Sequence, residues 1–421
     1  MRVNFSWVLL VVLGGISTIH AQETLESTEQ VSAEWVQWRG PNRDSLLDSP
    51  VLSELNTLDS LEPKWRVPLN ESYSGPIVAE GKVFVTETRD KKTEVVKALD
   101  VNSGEVVWEQ QWDGAMSVPF FAKSNGDWIR ATPIYDSGKL YVAGMCDVLV
   151  CLNAGTGDIE WRIDFVDQFK SGLPPFGNVP SPLIHGDYLY TQSGNAIVKI
   201  NKQTGEIVWK GFDQDAGMMT AGAFSSPVVA KLGGVEQIVV QARTELAGVD
   251  LETGNVLWRK PIPSFRGMNI LTPTILGDRV FTSTYQGGSF MLEIKHSGND
   301  WTVEEVWTNP LEAYMSSPVV VDGNIYVHLR SKRFACLDAA TGKERWVSKS
   351  FGDYWSMVAA GQRIMALDSD GELLLIEANP QEFKLLGQKS IADSSTWAHL
   401  GLVNDNVYVR ELNAIAVYGL K

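Results

Sequence analysis

The fold of this chain is decided by a stretch that it repeats, LDAATGKERW at residues 337–346. Apolar residues lead into Asp or Asn, Thr or Ser then precedes Gly, and the run ends in Trp. Four further copies occupy residues 99–108, 152–161, 200–209 and 249–258. An Asx side chain can bond the backbone amides of a turn, and Gly readily adopts a positive φ. Because the residues after Gly alternate with period 2, each copy predicts a β-hairpin that delivers its Trp to one face.

The spacing of the repeat Trp residues predicts the architecture. Successive steps are 43, 53, 48, 49, 49 and 39 residues, and Leu386 stands where an eighth Trp would fall. Strand-rich units of about 40–50 residues are typical of propeller blades, so Lys64 to Lys421 accommodates eight of them. We expect one large ring per blade, buried between neighbouring sheets with its indole N–H on a carbonyl. The seven rings are Trp65, Trp108, Trp161, Trp209, Trp258, Trp307 and Trp346.

A second landmark precedes each hairpin motif: a small residue, Pro, and then apolar residues. Pro at the first positions of a strand loses no ladder hydrogen bond. The landmark therefore predicts the start of the innermost strand of each blade. It occurs at Pro76, Pro133, Pro182, Pro227, Pro273 and Pro318.

The two ends of the repeat region complement each other. Lys64–Val67 reads as a Trp-bearing strand with no inner strands before it. Residues 402–409 and 414–418 read as inner and middle strands with no Trp strand after them. The sequence therefore predicts an all-β, eight-bladed propeller of four-stranded antiparallel blades over residues 63–421. Pairing of the N- and C-terminal segments in one blade closes its ring.

The residues before the repeats predict export. An apolar run from Trp7 to Ile16 follows Arg2 and ends in small residues, which is typical of a signal peptide, residues 1–21, cleaved after Ala21. The run is too short to span a membrane. No Cys follows Ala21, so we expect no lipid anchor there, and the mature protein should be soluble, in the periplasm or cell envelope.

Residues 22–62 form a leader of two parts. The first, residues 22–34, is polar and acidic and is predicted to be flexible. The second begins with the lead segment, WVQWRGPNRD at residues 35–44. We expect the lead segment to pack on the outside of the propeller and stabilise blade closure; the alternative is a cap or plug over one end. Residues 45–62 should be an irregular connection.

Charge and cysteine content limit the partners. Removing residues 1–21 takes away one Arg and no acid, which leaves 35 basic and 51 acidic residues and a net charge of −16. This balance argues against nucleic acid or an anionic membrane as the partner. Three cysteines are few for an exported protein of this size. Cys151 and Cys336 share one repeat position, which favours packing; a Cys146–Cys151 disulfide is the alternative.

One face of the predicted disc carries a candidate binding surface. Insertions at residues 113–125 and 165–180 both connect an outer strand to the next inner strand, so both should rise from that face. Residues that precede the inner strands belong to it too, and ligand sites of closed β-architectures lie at their mouths. The alternative is that these side chains only fill the tapered channel. The predicted mouth residues are Tyr73, Arg130, Asn178, Phe224, Asn269, Tyr314, Trp355 and Trp397.

The sequence contains no recognisable catalytic motif. The four histidines after the signal lie on different units without zinc-ligand spacing, so we predict no metal site. Residues 368–372, DSDGE, begin like a calcium loop but lead directly into a strand, which favours a hairpin turn. There is no G-x-S-x-G elbow, and no pair of carboxylates is singled out. We therefore predict no catalytic residues.

The repeat L-D-x-x-T-G-x-x-x-W resembles the pyrroloquinoline-quinone (PQQ)-like β-propeller repeat. That repeat is shared by eight-bladed quinoprotein alcohol dehydrogenases and by the BamB scaffold lipoprotein of outer-membrane β-barrel assembly. The opening QWRGPNRD, residues 37–44, resembles the Q-W-R-G-P-x-R-D start of exported BamB-like repeat proteins. Those proteins usually have Gly after R-D, where this chain has Ser45.

The resemblance implies two functions of different kinds. The dehydrogenases carry adjacent bridged cysteines and a Glu/Asn/Asp calcium cluster, neither of which is found here by motif. We therefore expect an exported, non-enzymatic binding or scaffolding propeller with an envelope protein as partner and no cofactor. One alternative is a quinoprotein-like oxidoreductase that holds PQQ with calcium, with Trp355 or Trp397 stacked on the ring. The other is a carbohydrate-binding propeller, since aromatic rings and amides suit sugar faces.

Overall fold

The computed structural model describes residues 1–2, 34–214, 217–218 and 220–420. The chain divides into two compact units, Met1–Ser32 and Ala33–Lys421. Apart from Met1, Arg2 and Glu34, the predicted signal peptide and acidic leader lie outside the described residues, so these two assignments stay predictions.

The second unit consists of eight four-stranded antiparallel sheets, the eight blades that the repeat spacing predicts. Blade 1 consists of β2 (Ile77–Ala79), β3 (Lys82–Arg89), β4 (Thr93–Asp100) and β5 (Val106–Asp113). Blade 2 consists of β6 (Ile134–Asp136), β7 (Lys139–Gly144), β8 (Val148–Asn153) and β9 (Ile159–Asp164). Blade 3 consists of β10 (Leu183–His185), β11 (Tyr188–Ser193), β12 (Ala196–Asn201) and β13 (Ile207–Gly211). Blade 4 consists of β14 (Val228–Leu232), β15 (Val235–Gln241), β16 (Glu245–Asp250) and β17 (Val256–Pro261). Blade 5 consists of β18 (Thr274–Leu276), β19 (Arg279–Thr284), β20 (Gly288–Ser297) and β21 (Asp300–Asn309). Blade 6 consists of β22 (Val319–Val321), β23 (Asn324–His328), β24 (Arg333–Asp338) and β25 (Glu344–Ser350). Blade 7 consists of β26 (Ser356–Ala360), β27 (Arg363–Leu367), β28 (Glu372–Glu377) and β29 (Lys384–Ser390). Blade 8 consists of β30 (Gly401–Val403), β31 (Asn406–Glu411), β32 (Ala414–Gly419) and β1 (Glu62–Pro68).

Helical structure in the described residues is limited to connections. The α-helices are α1 (Pro50–Glu54) and α2 (Phe165–Phe169), and 3-10 turns cover Phe120–Asn125 and Phe265–Gly267. Each of the six Pro landmarks lies directly before the inner strand of its blade, which confirms that prediction.

Ring closure follows the predicted topology. β1 pairs antiparallel with β32, from Glu62 opposite Gly419 to Pro68 opposite Ala414. The Arg66 guanidinium donates to both carboxylate oxygens of Glu411, at 2.8 and 2.9 Å. The N-terminal strand thus supplies the outermost strand of a blade whose other three strands are C-terminal, as predicted.

Each repeat Trp lies at the joint between two blades. The Trp108 indole donates to the Ala154 carbonyl of the next blade at 3.0 Å. Below the ring lies Gly157, whose φ is +81° and where a Cβ would come within 2.7 Å of the Trp108 ring. The turn therefore needs Gly for two reasons, a left-handed backbone and close approach to the preceding Trp. The same joint recurs as Trp65 with Gly104, Trp161 with Gly205, Trp209 with Gly254 and Trp307 with Gly342.

Blade 4 departs from this joint. The Trp258 indole donates to Gln237 Oε1 on its own blade at 2.6 Å, instead of to a carbonyl on the next one. The next blade lacks the T-G turn: β20 and β21 are ten-residue strands that turn at Gly298, which has no neighbour where a Cβ would point. Gly248 on β16 leaves the room that the Trp258 ring occupies.

The three cysteines of the chain are free thiols, so the Cys146–Cys151 alternative is wrong in this structure. Cys151 and Cys336 are buried in the equivalent strands β8 and β24. Cys151 packs with the hydrophobic cluster of its blade, and this agrees with the packing role.

The lead segment corrects one prediction. Instead of packing on the outside, it lies in the central channel as a plug. The backbone of Trp35 pairs with Val78 of blade 1, and Arg39 Nη2 donates to the Pro318 carbonyl of blade 6 at 2.5 Å. Arg43 donates to the Pro182 and Ser181 carbonyls of blade 3 at 2.7 and 3.2 Å. These carbonyls are where the inner strands begin, so the segment links blades 1, 3 and 6 across the channel.

A strained backbone places the two plug arginines. Arg39, Arg43 and Ser45 all have φ between +59° and +65°. The Ser45 hydroxyl accepts from Arg39 Nε at 2.9 Å. Burial lowers the pKa of Arg39 to about 10 and that of Arg43 to about 9, so both remain charged at neutral pH. The left-handed position of Ser45 explains why Gly suits this place in similar leaders.

Residues 45–62 are more regular than the predicted irregular connection. Ser49 caps α1, its hydroxyl accepting from the Leu52 amide at 3.2 Å. Leu58 packs over Gly387 of β29, beside Leu386, where the eighth repeat Trp is missing. Apolar residues of the connection therefore take part in the core of blade 7.

Candidate functional site

A cavity of about 350 Å³ opens on the axis of the ring, with Trp38 of the plug among its lining residues. Every one of the eight connections from an outer strand to the next inner strand contributes to the lining. The propeller topology itself directs these connections to the channel, which is why residues far apart in sequence meet here. The principal side chains are Tyr73, Phe121, Arg130, Phe176, Phe224, Arg243, Arg266, Met268, Tyr314, Tyr354, Trp355, Trp397 and His399.

Aromatic side chains form the walls in groups. Tyr73 stacks on Trp397 with ring centroids 4.9 Å apart and planes 17° apart. On another wall Phe224 meets Phe176 edge to face at 5.4 Å. Tyr314 and Tyr354 lie 5.9 Å apart on a third. Burial raises the pKa of Tyr73 to about 12 and raises the pKa of Tyr314 and Tyr354, so all three phenols are neutral at pH 7.

Arg243 organises one side of the cavity. It is fully buried and donates to the carbonyls of Gly267 (2.9 Å), Arg266 (2.9 Å), Met218 (3.1 Å) and Ala221 (3.2 Å). Its guanidinium lies 4.6 Å from the Phe224 ring centroid, a cation–π contact. Burial lowers its pKa to about 10, which leaves it cationic.

Two more arginines reach the cavity without an ion pair in the described residues. Arg130 Nη2 donates to the Gly126 carbonyl at 2.9 Å, and Arg266 lies 4.9 Å over the Phe265 ring. Desolvation lowers the pKa of Arg130. The lining thus carries three cationic side chains and no Asp or Glu.

The eight predicted mouth residues separate into two groups. Six of them line the cavity together: Tyr73, Arg130, Phe224, Tyr314, Trp355 and Trp397. The two amides do not. Asn178 is buried and donates to Asp147 and Ser193 at 3.0 and 2.8 Å, and buried Asn269 donates to the Arg243 carbonyl at 3.1 Å. These two amides hold neighbouring loops in place, while a binding role for the six stays a prediction.

Sequence reasoning missed part of the lining. Arg243 lies in the turn between β15 and β16, away from the outer-to-inner connections on which the prediction was based. Arg266 lies in such a connection, but no landmark singles it out. Trp38 and His399 meet there because the plug crosses the channel, and their rings lie edge to face at 5.1 Å.

His399 is the buried link between plug and blade 8. Its Nε2 lies 3.3 Å from Ser45 Oγ, and its Nδ1 lies 2.7 Å from the Leu400 carbonyl oxygen. Burial lowers its pKa to about 4, and nearby Arg39 also lowers it, so the ring is neutral at pH 7.

A side chamber of about 310 Å³ adjoins the cavity and shares Tyr314, Met315 and Tyr354 with it. Arg330 in the chamber is paired with Glu312 at 2.7 Å, and Asp353 with Lys332 at 2.7 Å. Its charges are therefore already compensated, unlike those of the main cavity.

The lining does not fit PQQ held with calcium. Calcium takes oxygen ligands that include carboxylates, and the cavity offers none. In residues 34–214, 217–218 and 220–420, no three His, Cys, Asp or Glu side chains form a metal-binding group. Trp355, one candidate for stacking on such a ring, is itself stacked on His328 with centroids 4.7 Å apart.

Fold and cavity together define an eight-bladed propeller of PQQ-like repeats with a plugged, aromatic channel mouth. The family model described as outer membrane protein assembly factor BamB matches residues 53–117 and 91–348. The chain therefore belongs to the BamB family. BamB of Shewanella oneidensis is 23% identical over 346 residues, covering 80% of this chain and 81% of that protein. BamB of Moranella endobia is 23% identical over 329 residues, covering 76% and 78%.

Solved structures agree on the fold. BamB from Moraxella catarrhalis superposes with a TM-score of 0.64 at 13% identity, over 85% of this chain and 99% of that one. A europium-containing methanol dehydrogenase gives 0.68 at 12% identity, over 92% and 98%. At such identities the likeness shows the propeller alone. Among the described residues, no helix is long and apolar enough to cross a membrane.

Proposed function

We propose that this chain is an exported, non-enzymatic scaffold of the cell envelope that binds a protein partner at the mouth of its channel. The observation that carries the proposal is the cavity itself: all eight outer-to-inner connections converge on one aromatic site beside the plug. A concave site with few polar groups among apolar walls is the usual form of a binding site. The relatives described as outer membrane protein assembly factors support the envelope as the place of action.

The surface around the mouth supports a protein as the occupant. Phe120 is 85% exposed and Phe121 is 46% exposed, both on the 3-10 turn at the rim. Large side chains left open beside a cavity are typical of interaction surfaces. The net charge of −15 also fits a protein partner better than nucleic acid.

The test is capture of envelope proteins on the immobilised mature protein, with bound species identified by mass spectrometry. Phe121→Ser should lose the specific partner because it removes an apolar contact at the rim. Val107→Ser is the matched control, since Val107 is 51% exposed but lies on outer strand β5. Equal capture by both variants would overturn the proposal.

A second experiment tests the proposed independence from a cofactor. A ligand that binds only the native state raises stability by RT ln(1 + [L]/Kd), about 2.7 kcal/mol at 100 Kd. We expect PQQ, with or without calcium, to leave the melting temperature unchanged. A calcium-dependent rise would contradict this and favour the quinoprotein-like alternative.

A further inference from the structure

We infer that the cavity receives a peptide segment of the partner in which a large apolar side chain lies next to a carboxylate. This inference rests on the proposed function, because it specifies the chemistry of the partner at the same site. Three independent features of the mouth lead to it: its apolar rim, its unbalanced charge and its size.

The rim is apolar along one side. Large exposed side chains lie on four successive outer-to-inner connections: Phe120, Phe121, Leu173, Met218 and Phe265. Several other exposed large apolar residues lie on outer strands, as Val107 and Ile159 do. This side of the rim therefore offers apolar contacts to a partner that enters the cavity.

The charge of the cavity opposes the charge of the chain. The whole sequence carries −15, yet the lining holds Arg130, Arg243 and Arg266 with no carboxylate. Several arginines outside the cavity are paired: Arg89 with Glu87 and Glu109, and Arg66 with Glu411. Those carboxylates raise the pKa of Arg89 and Arg66, whereas burial lowers the pKa of Arg130 and Arg243. An anionic group is thus the complement that the cavity lacks.

Size restricts what enters. About 350 Å³ admits one or two large side chains and excludes a folded domain. The stacked pair Tyr73–Trp397 and the pair Phe176–Phe224 provide apolar faces for such a side chain. A carboxylate beside it would make charge-assisted hydrogen bonds with Arg130 and Arg266, whose guanidinium groups lack ion pairs in the described residues.

The experiment uses blocked peptides Ac-Gly-Ser-Phe-Asp-Ser-Gly-amide, its Asp→Asn version and its Phe→Ala version, titrated into the whole mature protein. Binding is followed by calorimetry and by Trp fluorescence, since Trp355 and Trp397 line the cavity. We expect the Phe-Asp peptide to bind about tenfold more tightly than either version at low salt. The advantage over the Asn version should shrink as salt is added.

Arginine variants locate the effect. The double variant Arg130→Gln/Arg266→Gln should abolish the preference for Asp over Asn while leaving the fold intact. The double variant Arg279→Gln/Arg345→Gln is the control with the same change of charge, because Arg279 pairs with Glu293 and Arg345 with Asp338, both away from the lining. Equal binding of the Asp and Asn peptides, or an unchanged preference in the double variant, would overturn the inference.

The outcomes also separate this inference from the proposed function. If no peptide binds but partner capture still depends on Phe121, the inference fails and the proposed function stands. If capture is independent of Phe121, the proposed function fails whatever the peptides do.

Discussion

Aromatic rings at the blade joints and aromatic rings at the channel mouth lie in opposite surroundings. At a joint, the Trp108 ring lies against Gly157 of the next blade, and its indole is hydrogen-bonded to Ala154. At the mouth, Tyr314 and Trp397 are half-buried and line an open cavity. Since the residue types are similar, the role of each ring follows from what covers it. Joint rings should therefore govern stability, and mouth rings should govern binding.

The largest effect is expected at the joint that closes the ring. Deleting Lys64–Val67 removes Trp65 from Gly104 and uncovers the edge of β32. The free energy of unfolding should fall by at least about 5 kcal/mol, a large part of the stability of a typical domain. Urea and thermal unfolding measure it. Deleting four residues of the mouth insertion, Gly172–Pro175, should cost far less; equal losses would mean that β1 does not close the propeller.

A smaller effect should distinguish two glycines with similar backbones. Gly157→Ala forces a Cβ to within 2.7 Å of the Trp108 ring, whereas Gly298→Ala meets nothing within 4 Å. Both pay for a positive φ, about 1–2 kcal/mol. Overpacking should add about 1–3 kcal/mol at Gly157 only. Equal unfolding free energies for the two variants would show that the ring contact contributes nothing to the joint.

The pH dependence of stability tests the burial of His399, which lies between the plug and the mouth. His399 has a native pKa of about 4, below its unfolded value of about 6.5, so only the unfolded state binds a proton between these limits. Its contribution to stability is therefore lost as the pH falls from about 6.5 to about 4, at about 1.4 kcal/mol per pH unit. The free energy of unfolding of the His399→Gln variant should fall less steeply over this pH range, by that amount per pH unit.

Other buried groups also change protonation over this pH range. The quantity to measure is therefore the difference in unfolding free energy between wild type and His399→Gln. Burial raises the pKa of Glu94 to about 7 and that of Asp147 to about 6, so these two carboxyl groups destabilise the fold as the pH rises. His328, also with a pKa of about 4, acts in the same direction as His399. Parallel stability curves for wild type and His399→Gln from pH 7 to 4 would contradict the assignment.

The smallest effect on stability is expected at the mouth. Tyr314→Ala removes a half-buried ring whose hydroxyl makes only a long contact, 3.9 Å, with Met268 Sδ. The free energy of unfolding should change by about 1 kcal/mol or less, while partner capture is lost. Trp307→Ala, at a joint beside Gly342, is the opposite case and should cost about 3–5 kcal/mol. A Tyr314 variant that unfolds as readily as the Trp307 variant would remove the distinction between the two regions.

Local patterns were sufficient to predict the blades. The Thr-Gly or Ser-Gly turn before most of the repeat Trp residues, the Pro before six of the inner strands and the incomplete units at the two ends all describe contacts between neighbours in sequence or between repeats. Six mouth residues could also be predicted, because a propeller must lead every outer-to-inner connection back to its channel. Tyr73 and Trp397 meet for that reason although they lie at opposite ends of the chain.

The plug could not be predicted in the same way. Arg39 and Arg43 bind backbone carbonyls at Pro318 and Pro182, and a carbonyl leaves no trace in the sequence pattern. Arg243 was missed because it lies in a strand turn, where charged residues are ordinary. The amides Asn178 and Asn269 occupy the predicted positions, but hydrogen bonds turn them into the surrounding loops. Repeat spacing and sequence position thus predicted the propeller. The structure of its channel depends instead on side-chain hydrogen bonds to the backbone of residues far away in sequence.

Site-specific photo-crosslinking in the cells that make the protein tests whether the partner binds at the channel mouth. A photoreactive amino acid replaces Phe120 at the mouth rim or Val107 on an outer strand, both of which are exposed. We expect position 120 to crosslink one defined envelope protein and position 107 not to crosslink it. Crosslinking of the same protein from position 107 with equal or higher yield would contradict the mouth as the binding site.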